Sequence, residues 1–165
     1  MKTTIVFLRT HFTAVVIMAL GCVAYFVLIE EMGGAEFIRA SLFSTEDSQA
    51  YLGYAQWITG DSAYCNPLRS YFYPLLIVIA QSFCGITGIW LMQLLLWMSG
   101  CILIYCAALR ISDRKSIAIA AMVLAISNIS LMVYTVHALT ETASFFFLAL
   151  LVFLLSGNFR NPKGF

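Results

Sequence analysis

The sequence predicts an all-α integral membrane protein with about four transmembrane helices. Of its 165 residues, 62% are hydrophobic and only 10% are charged, with a mean hydropathy of +0.92. Soluble domains are roughly 45–50% apolar. Uncharged stretches recur along the chain, and a hydrophobic helix needs about 20 residues to cross a bilayer. The net charge of +1 gives no sign of a nucleic-acid partner.

The first predicted span covers residues 12–29. Lys2 and Arg9 precede it, as in a signal peptide, but the apolar run is 18 residues long. A signal-peptide core has about 7–15 residues. The segment is therefore predicted to be an uncleaved membrane anchor.

Residues 70–109 form a second stretch, 40 residues without a charge. One helix of that length would run roughly 60 Å, twice the hydrocarbon thickness, so it is expected to break. Gly85-Ile86-Thr87-Gly88 is the expected break. Either both halves cross, or residues 73–84 form an interfacial or re-entrant helix and only residues 89–109 cross.

The positive-inside rule favours one crossing. That topology, with further spans at 117–136 and 142–156, places seven of the nine basic residues in the cytoplasm: Lys2, Arg9, Arg110, Arg114, Lys115, Arg160 and Lys163. If both halves of residues 70–109 crossed, only two basic residues, Lys2 and Arg9, would be cytoplasmic. The prediction is one membrane-embedded domain over residues 1–165, multi-pass, with a cytoplasmic N-terminus, in a bacterial inner membrane rather than the endoplasmic reticulum. Residues 30–70 then form an extracytoplasmic loop.

Within this loop, apolar residues recur at helical spacing and Gly60 follows as a stop, which predicts a short amphipathic helix. Glu46 and Asp47 fall in its first turn. One interpretation is helix capping, with Ser44 or Thr45 as the N-cap and the carboxylates favoured by the helix dipole. The other is that one carboxylate is a general base at the membrane surface. Both can hold for neighbouring residues.

Glu141 lies in the short turn that joins the last two predicted spans, on the same side of the membrane as Asp47. One interpretation is an interfacial carboxylate at the start of the last helix, which Thr140 would N-cap. The other is a functional residue, since a carboxylate at that depth in the membrane is energetically costly. His137 precedes it by one helical turn. Arg69 is expected either to snorkel to the membrane surface or to bind phosphate. The five cysteines show no metal-ligand spacing with histidine.

The order of these features resembles the GT-C membrane glycosyltransferases, in the style of protein O-mannosyltransferases and aminoarabinose transferases. The similarity covers roughly residues 10–156. Its first feature is an acidic residue that opens an Asp-x-x-x-Tyr helix, here Asp47 with Tyr51. Its second is an aromatic-proline segment, here Tyr71-Phe72-Tyr73-Pro74-Leu75. The remaining features are Phe83-Cys84-Gly85, Tyr105 followed by Leu109-Arg110, and Leu139-Thr140-Glu141.

The resemblance implies transfer of a sugar, with inversion, from a polyprenyl-phosphate donor to a glycan, lipid or protein acceptor. Asp47 would be the general base, with Glu46 as its substitute, and Glu141 would orient the acceptor or support the oxocarbenium charge that develops on the sugar. Arg69 would hold the donor phosphate, with Tyr51, Tyr73 and His137 as further substrate-binding residues. The residues predict no particular cofactor, and the resemblance is compatible with enzymes that use a divalent metal and with enzymes that do not. The chain is expected to be an N-terminal portion of such an enzyme; the alternative is a small non-catalytic subunit or assembly partner.

Overall fold

A computed structural model describes residues 2–62 and 70–159, with side chains described from residue 11 to residue 157 inside those ranges. The all-α prediction is confirmed, because no strand occurs in these ranges. The helices are α1 Lys2–Glu31, α2 Gly34–Leu42, α3 Glu46–Thr59, α4 Phe72–Ser112, α5 Lys115–Ile126, α6 Ile129–Tyr134 and α7 Thr140–Phe159.

Among the described helices, three are long and apolar enough to cross a membrane, at His11–Glu31, Phe72–Ser112 and Thr140–Gly157. The chain is thus a multi-pass membrane protein. The predicted span at 117–136 differs, since it is divided into α5 of 12 residues and α6 of 6 residues. The division falls at Asn128, whose side chain accepts a hydrogen bond from the Leu131 N–H at 3.2 Å and caps α6. Asparagine competes in this way with a continuous helix.

Helix α4 is broken at Cys84 and Gly85. Gly85 has φ 60°, in the left-handed region that favours glycine. A Cβ atom on Gly88 would lie only 2.1 Å from the Ala80 carbonyl oxygen. The first arm, α4a (residues 72–83), therefore folds back against the second arm, α4b (residues 86–112).

Contacts along α4b give the direction of the other helices. Tyr25 of α1 bonds to Trp90, and His11 of α1 lies 2.8 Å from Tyr105, so α1 runs antiparallel to α4b. On α7, Phe145 contacts Gly100 and Phe153 contacts Arg110, so α7 runs parallel to α4b. The bundle has two ends: the α3 end, with α2, α3 and the turn 135–139, and the Arg110 end, with His11, Tyr105 and Arg110.

Buried side chains along α4b form the centre of the core. Trp97 is fully buried and its ring lies 5.8 Å from the ring of Tyr25. Other buried members are Ile89, Leu94, Cys101, Tyr105, Met18 and Met122. Helix α4b is thus the scaffold against which both ends are built.

Candidate functional site

The start of α3 is capped by the hydroxyl groups of Thr45 and Ser48. Thr45 is the N-cap: its Oγ1 accepts from the Ser48 N–H at 3.0 Å, and the Ser48 hydroxyl accepts from the Thr45 N–H at 3.2 Å. This reciprocal pair satisfies two helix-terminal N–H groups. Glu46 and Asp47 follow in the first turn, where the helix dipole favours them without requiring them.

The two carboxylates lie on different faces of α3. Both are exposed, but Asp47 precedes the buried residues Tyr51 and Tyr54 by four and seven positions, which places it on the same helical face. Glu46 shares its face with Ala50 and Gly53. Because the buried face of α3 is turned toward α4, Asp47 is the carboxylate adjacent to the rest of the site.

Tyr51 joins α3 to the start of α4. Its ring lies 5.1 Å from the ring of Tyr73 in an edge-to-face arrangement. Tyr73 is 3% exposed, and no group in the described part of the chain hydrogen-bonds to its hydroxyl. The carboxylate of Glu141, in the first turn of α7, is within range of electrostatic interaction with that hydroxyl. Tyr51 and Tyr73 are thus in contact, Asp47 lies one helical turn before Tyr51, and Glu141 is in electrostatic range of Tyr73.

More aromatic rings extend this cluster along α3. The Tyr54 ring lies 5.1 Å from that of Tyr71 and 5.6 Å from that of Trp57. Tyr71 and Trp57 are exposed, whereas Tyr54 is buried. The result is an amphipathic aromatic surface beside the carboxylates, of the kind found at membrane interfaces.

His137 fastens the turn 135–139 to the junction between α2 and α3. Its Nδ1 lies 2.8 Å from the Ser41 carbonyl oxygen, which can only accept, so Nδ1 carries the hydrogen. The Ser44 hydroxyl is 3.3 Å from the same nitrogen. One residue later, the Ala138 N–H donates to the Leu42 carbonyl at 3.0 Å. His137 and Ala138 thus join the turn that leads to Glu141 to the junction that leads to Asp47.

Gln93 is a site-supporting residue that the sequence analysis missed. It is fully buried in α4b, and its Nε2, which has two hydrogens to donate, lies within hydrogen-bond distance of the carbonyl oxygens of Tyr134, His137 and Leu139. These carbonyls belong to the last residue of α6 and to the turn that leads into Glu141. Gln93 is the one amide side chain in the predicted crossing segment 89–109, which was the available signal, because polar side chains at such positions usually bond across helices.

Tyr25 makes the corresponding link from α1. Its hydroxyl accepts from Trp90 Nε1 at 2.8 Å and from the Thr135 hydroxyl at 2.9 Å. Helices α1 and α4b and the turn 135–139 therefore meet at one oxygen, and the turn is held from both sides.

No family model, curated protein or solved structure matches the chain. Its function must therefore be inferred from its own residues, and the resemblance to GT-C enzymes stays a prediction. Arg69, the predicted phosphate ligand, lies outside the described residues. Within the described ranges, no group of three or more His, Cys, Asp or Glu side chains is placed to hold a metal ion.

Proposed function

We propose that the protein acts in sugar transfer from a polyprenyl-phosphate donor to an acceptor hydroxyl, at the α3 end of the bundle. The observation that carries the proposal is the ring contact between Tyr51 of α3 and Tyr73 of α4. Glu141 of α7 is in electrostatic range of the Tyr73 hydroxyl, and Asp47 lies one helical turn before Tyr51. The positive-inside rule supports placing this end on the extracytoplasmic face.

In the proposed reaction, the acceptor oxygen attacks the anomeric carbon from the face opposite the phosphate. Asp47 removes the proton from that oxygen, the bond between the anomeric carbon and the phosphate oxygen breaks, and polyprenyl phosphate leaves with its electron pair. General-base catalysis of this kind contributes about 10²–10⁴-fold. Because Asp47 is exposed, it can release the proton to water afterwards.

Two further groups have roles that fit their positions. Glu141 would orient the acceptor or stabilise positive charge that develops on the sugar ring. The Tyr73 hydroxyl, buried and without a partner among the described residues, would donate a hydrogen bond to the substrate. Arg69 would bind the donor phosphate through two parallel hydrogen bonds.

The test uses the protein in lipid nanodiscs that contain a panel of polyprenyl-phosphate sugars, with a membrane lipid extract as the source of acceptors. Release of polyprenyl phosphate is followed by mass spectrometry. We expect Asp47→Asn to slow release by about 100-fold or more while donor binding is retained. Glu36→Gln, which neutralises a first-turn carboxylate of α2 instead, is the matched control and should keep wild-type turnover.

Glu46→Gln separates the two neighbouring carboxylates. Loss of turnover in Glu46→Gln with retention in Asp47→Asn would move the base to Glu46. If the wild-type protein consumes no donor, or both variants keep full turnover, the catalytic proposal is wrong. Stoichiometric co-purification with a larger membrane protein would then favour the non-catalytic subunit.

A further inference from the structure

A cavity of about 680 Å³ lies at the Arg110 end, away from the carboxylates of α3. Its volume is within the roughly 300–1,000 Å³ typical of ligand sites. Most of its wall is apolar, with α1, α4b and α5 contributing Ala14, Val15, Met18, Met98, Ile102 and Met122. Apolar cavities of this type exclude water.

One side of the same cavity is polar. His11, Tyr105 and Arg110 line it, and His11 Nδ1 lies 2.8 Å from the Tyr105 hydroxyl. In the sequence, the apolar run predicted to form the first span begins at residue 12, directly after His11, and Arg110 is two residues from the end of α4 at Ser112. The polar side therefore lies where two spans reach the membrane surface, at the level of lipid headgroups.

Arg110 is held in place and still has hydrogen-bonding capacity. Its guanidinium carbon lies 3.8 Å from the centre of the Phe153 ring, and Nη1 donates to the Phe153 carbonyl at 3.3 Å. A guanidinium has five N–H donors in a fixed fork, which matches the geometry of a phosphate. Basic groups between transmembrane helices near a membrane surface are typical binding sites for anionic headgroups.

We infer that this cavity binds one anionic phospholipid, with an acyl chain between α1, α4b and α5 and the phosphate on Arg110. The cavity has an apolar wall and, on one side, the cation Arg110, so it fits a molecule that is apolar at one end and negatively charged at the other. His11 and Tyr105 supply further polar atoms beside the headgroup. This site is separate from the sugar-transfer site and does not depend on it.

The test is native mass spectrometry of the delipidated 165-residue chain with phosphatidylglycerol and phosphatidylcholine that carry identical acyl chains. We expect a preference for phosphatidylglycerol. Arg110→Gln should weaken phosphatidylglycerol binding by roughly 10- to 100-fold, as expected when a hydrogen bond to a charged group is lost. Arg114→Gln is the matched control: Arg114 is exposed, does not line the cavity, and its substitution should leave the preference unchanged.

A second variant tests the apolar wall. Val15 lines the cavity and is 44% exposed, so Val15→Phe should fold and should reduce binding of both lipids by occupying the acyl-chain volume. Thermal stabilisation by added phosphatidylglycerol should fall in parallel. Equal effects of Arg110→Gln and Arg114→Gln, wild-type binding without headgroup preference, or unaltered binding to Val15→Phe would each overturn the inference. Oleate binding as tightly as phosphatidylglycerol would overturn the assignment to a phospholipid.

Discussion

The two ends of the helical bundle are built in different ways. At the α3 end, segments far apart in sequence are joined by side-chain hydrogen bonds and ring contacts, including His137 to Ser41, Tyr25 to Thr135 and Tyr51 to Tyr73. At the Arg110 end, the helices surround a cavity of about 680 Å³, and the contacts across it include the His11–Tyr105 bond and the Arg110–Phe153 pair.

The difference corresponds to the two proposed ligands. Transfer of a group between two substrates requires the reacting groups to be held to within a fraction of an ångström. Hydrogen bonds and ring contacts between side chains of different helices provide that precision. A lipid acyl chain needs volume and an anchoring charge, and it adapts to an irregular wall. Substitutions that relax the α3 end should therefore be costly, and matching substitutions beside the cavity should be mild.

The largest effect is expected from Gly88→Ala, at the fold of α4. The added Cβ would lie 2.1 Å from the backbone oxygen of Ala80, which cannot move without opening the angle between α4a and α4b. Overpacking of this kind costs about 3 kcal/mol of unfolding free energy. SDS titration in mixed micelles measures it.

Gly53→Ala is the matched glycine control for that experiment. Gly53 lies inside α3, and a Cβ there meets nothing within 4 Å. Its substitution should raise stability by about 0.5–1 kcal/mol, because glycine is unfavourable inside a helix. If Gly88→Ala were as stable as Gly53→Ala, α4a would not pack closely on α4b.

The second-largest loss of unfolding free energy is expected from Gln93→Leu, which removes the amide donor that supports the turn before Glu141. Carbonyl oxygens of His137 and Leu139 would then be left in an apolar surrounding, at a cost of about 2 kcal/mol. Gln81→Leu is the control on α4a, where the side chain is half-buried. It should change the unfolding free energy by less than about 0.5 kcal/mol. An equal loss in both variants would contradict the role assigned to Gln93.

Much of the fold could be predicted from composition and a few punctuating residues. Uncharged runs located the long helices, Gly85 marked the break in α4, and Gly60 marked the end of α3, because each effect is local to the chain. The division of the stretch 117–136 was missed. Hydropathy averages over about 20 residues, so it did not register the capping bond of one side chain, Asn128.

The candidate site was predictable only in its charged and aromatic members. Asp47 and Glu141 stood out because carboxylates are rare in so apolar a chain. Gln93 and Tyr25 were missed, since their importance depends on which carbonyl or hydroxyl lies opposite them after folding. A linear sequence does not contain those pairings. The resemblance to GT-C enzymes already favoured Asp47 over Glu46, but only the fold shows that Asp47 shares a helical face with the buried Tyr51 and Tyr54.

The smallest changes in unfolding free energy are expected from a Tyr→Phe substitution made at each end of the bundle, which compares the two ends directly. Tyr25→Phe removes the oxygen that accepts from Trp90 and Thr135 inside the core, and should cost about 1–2 kcal/mol. Tyr105→Phe removes the bond to His11 beside the cavity. His11 is only half-buried and can bond to water or a lipid headgroup instead, so the cost should be about 0.5 kcal/mol.

Both variants are measured by SDS titration of the delipidated protein and again with phosphatidylglycerol added. The added lipid should leave the cost of Tyr25→Phe unchanged, because Tyr25 does not line the cavity. It should alter the cost of Tyr105→Phe, since Tyr105 lies at the proposed headgroup position. Equal costs at the two positions, unaffected by lipid, would mean that the Arg110 end is as rigidly assembled as the α3 end.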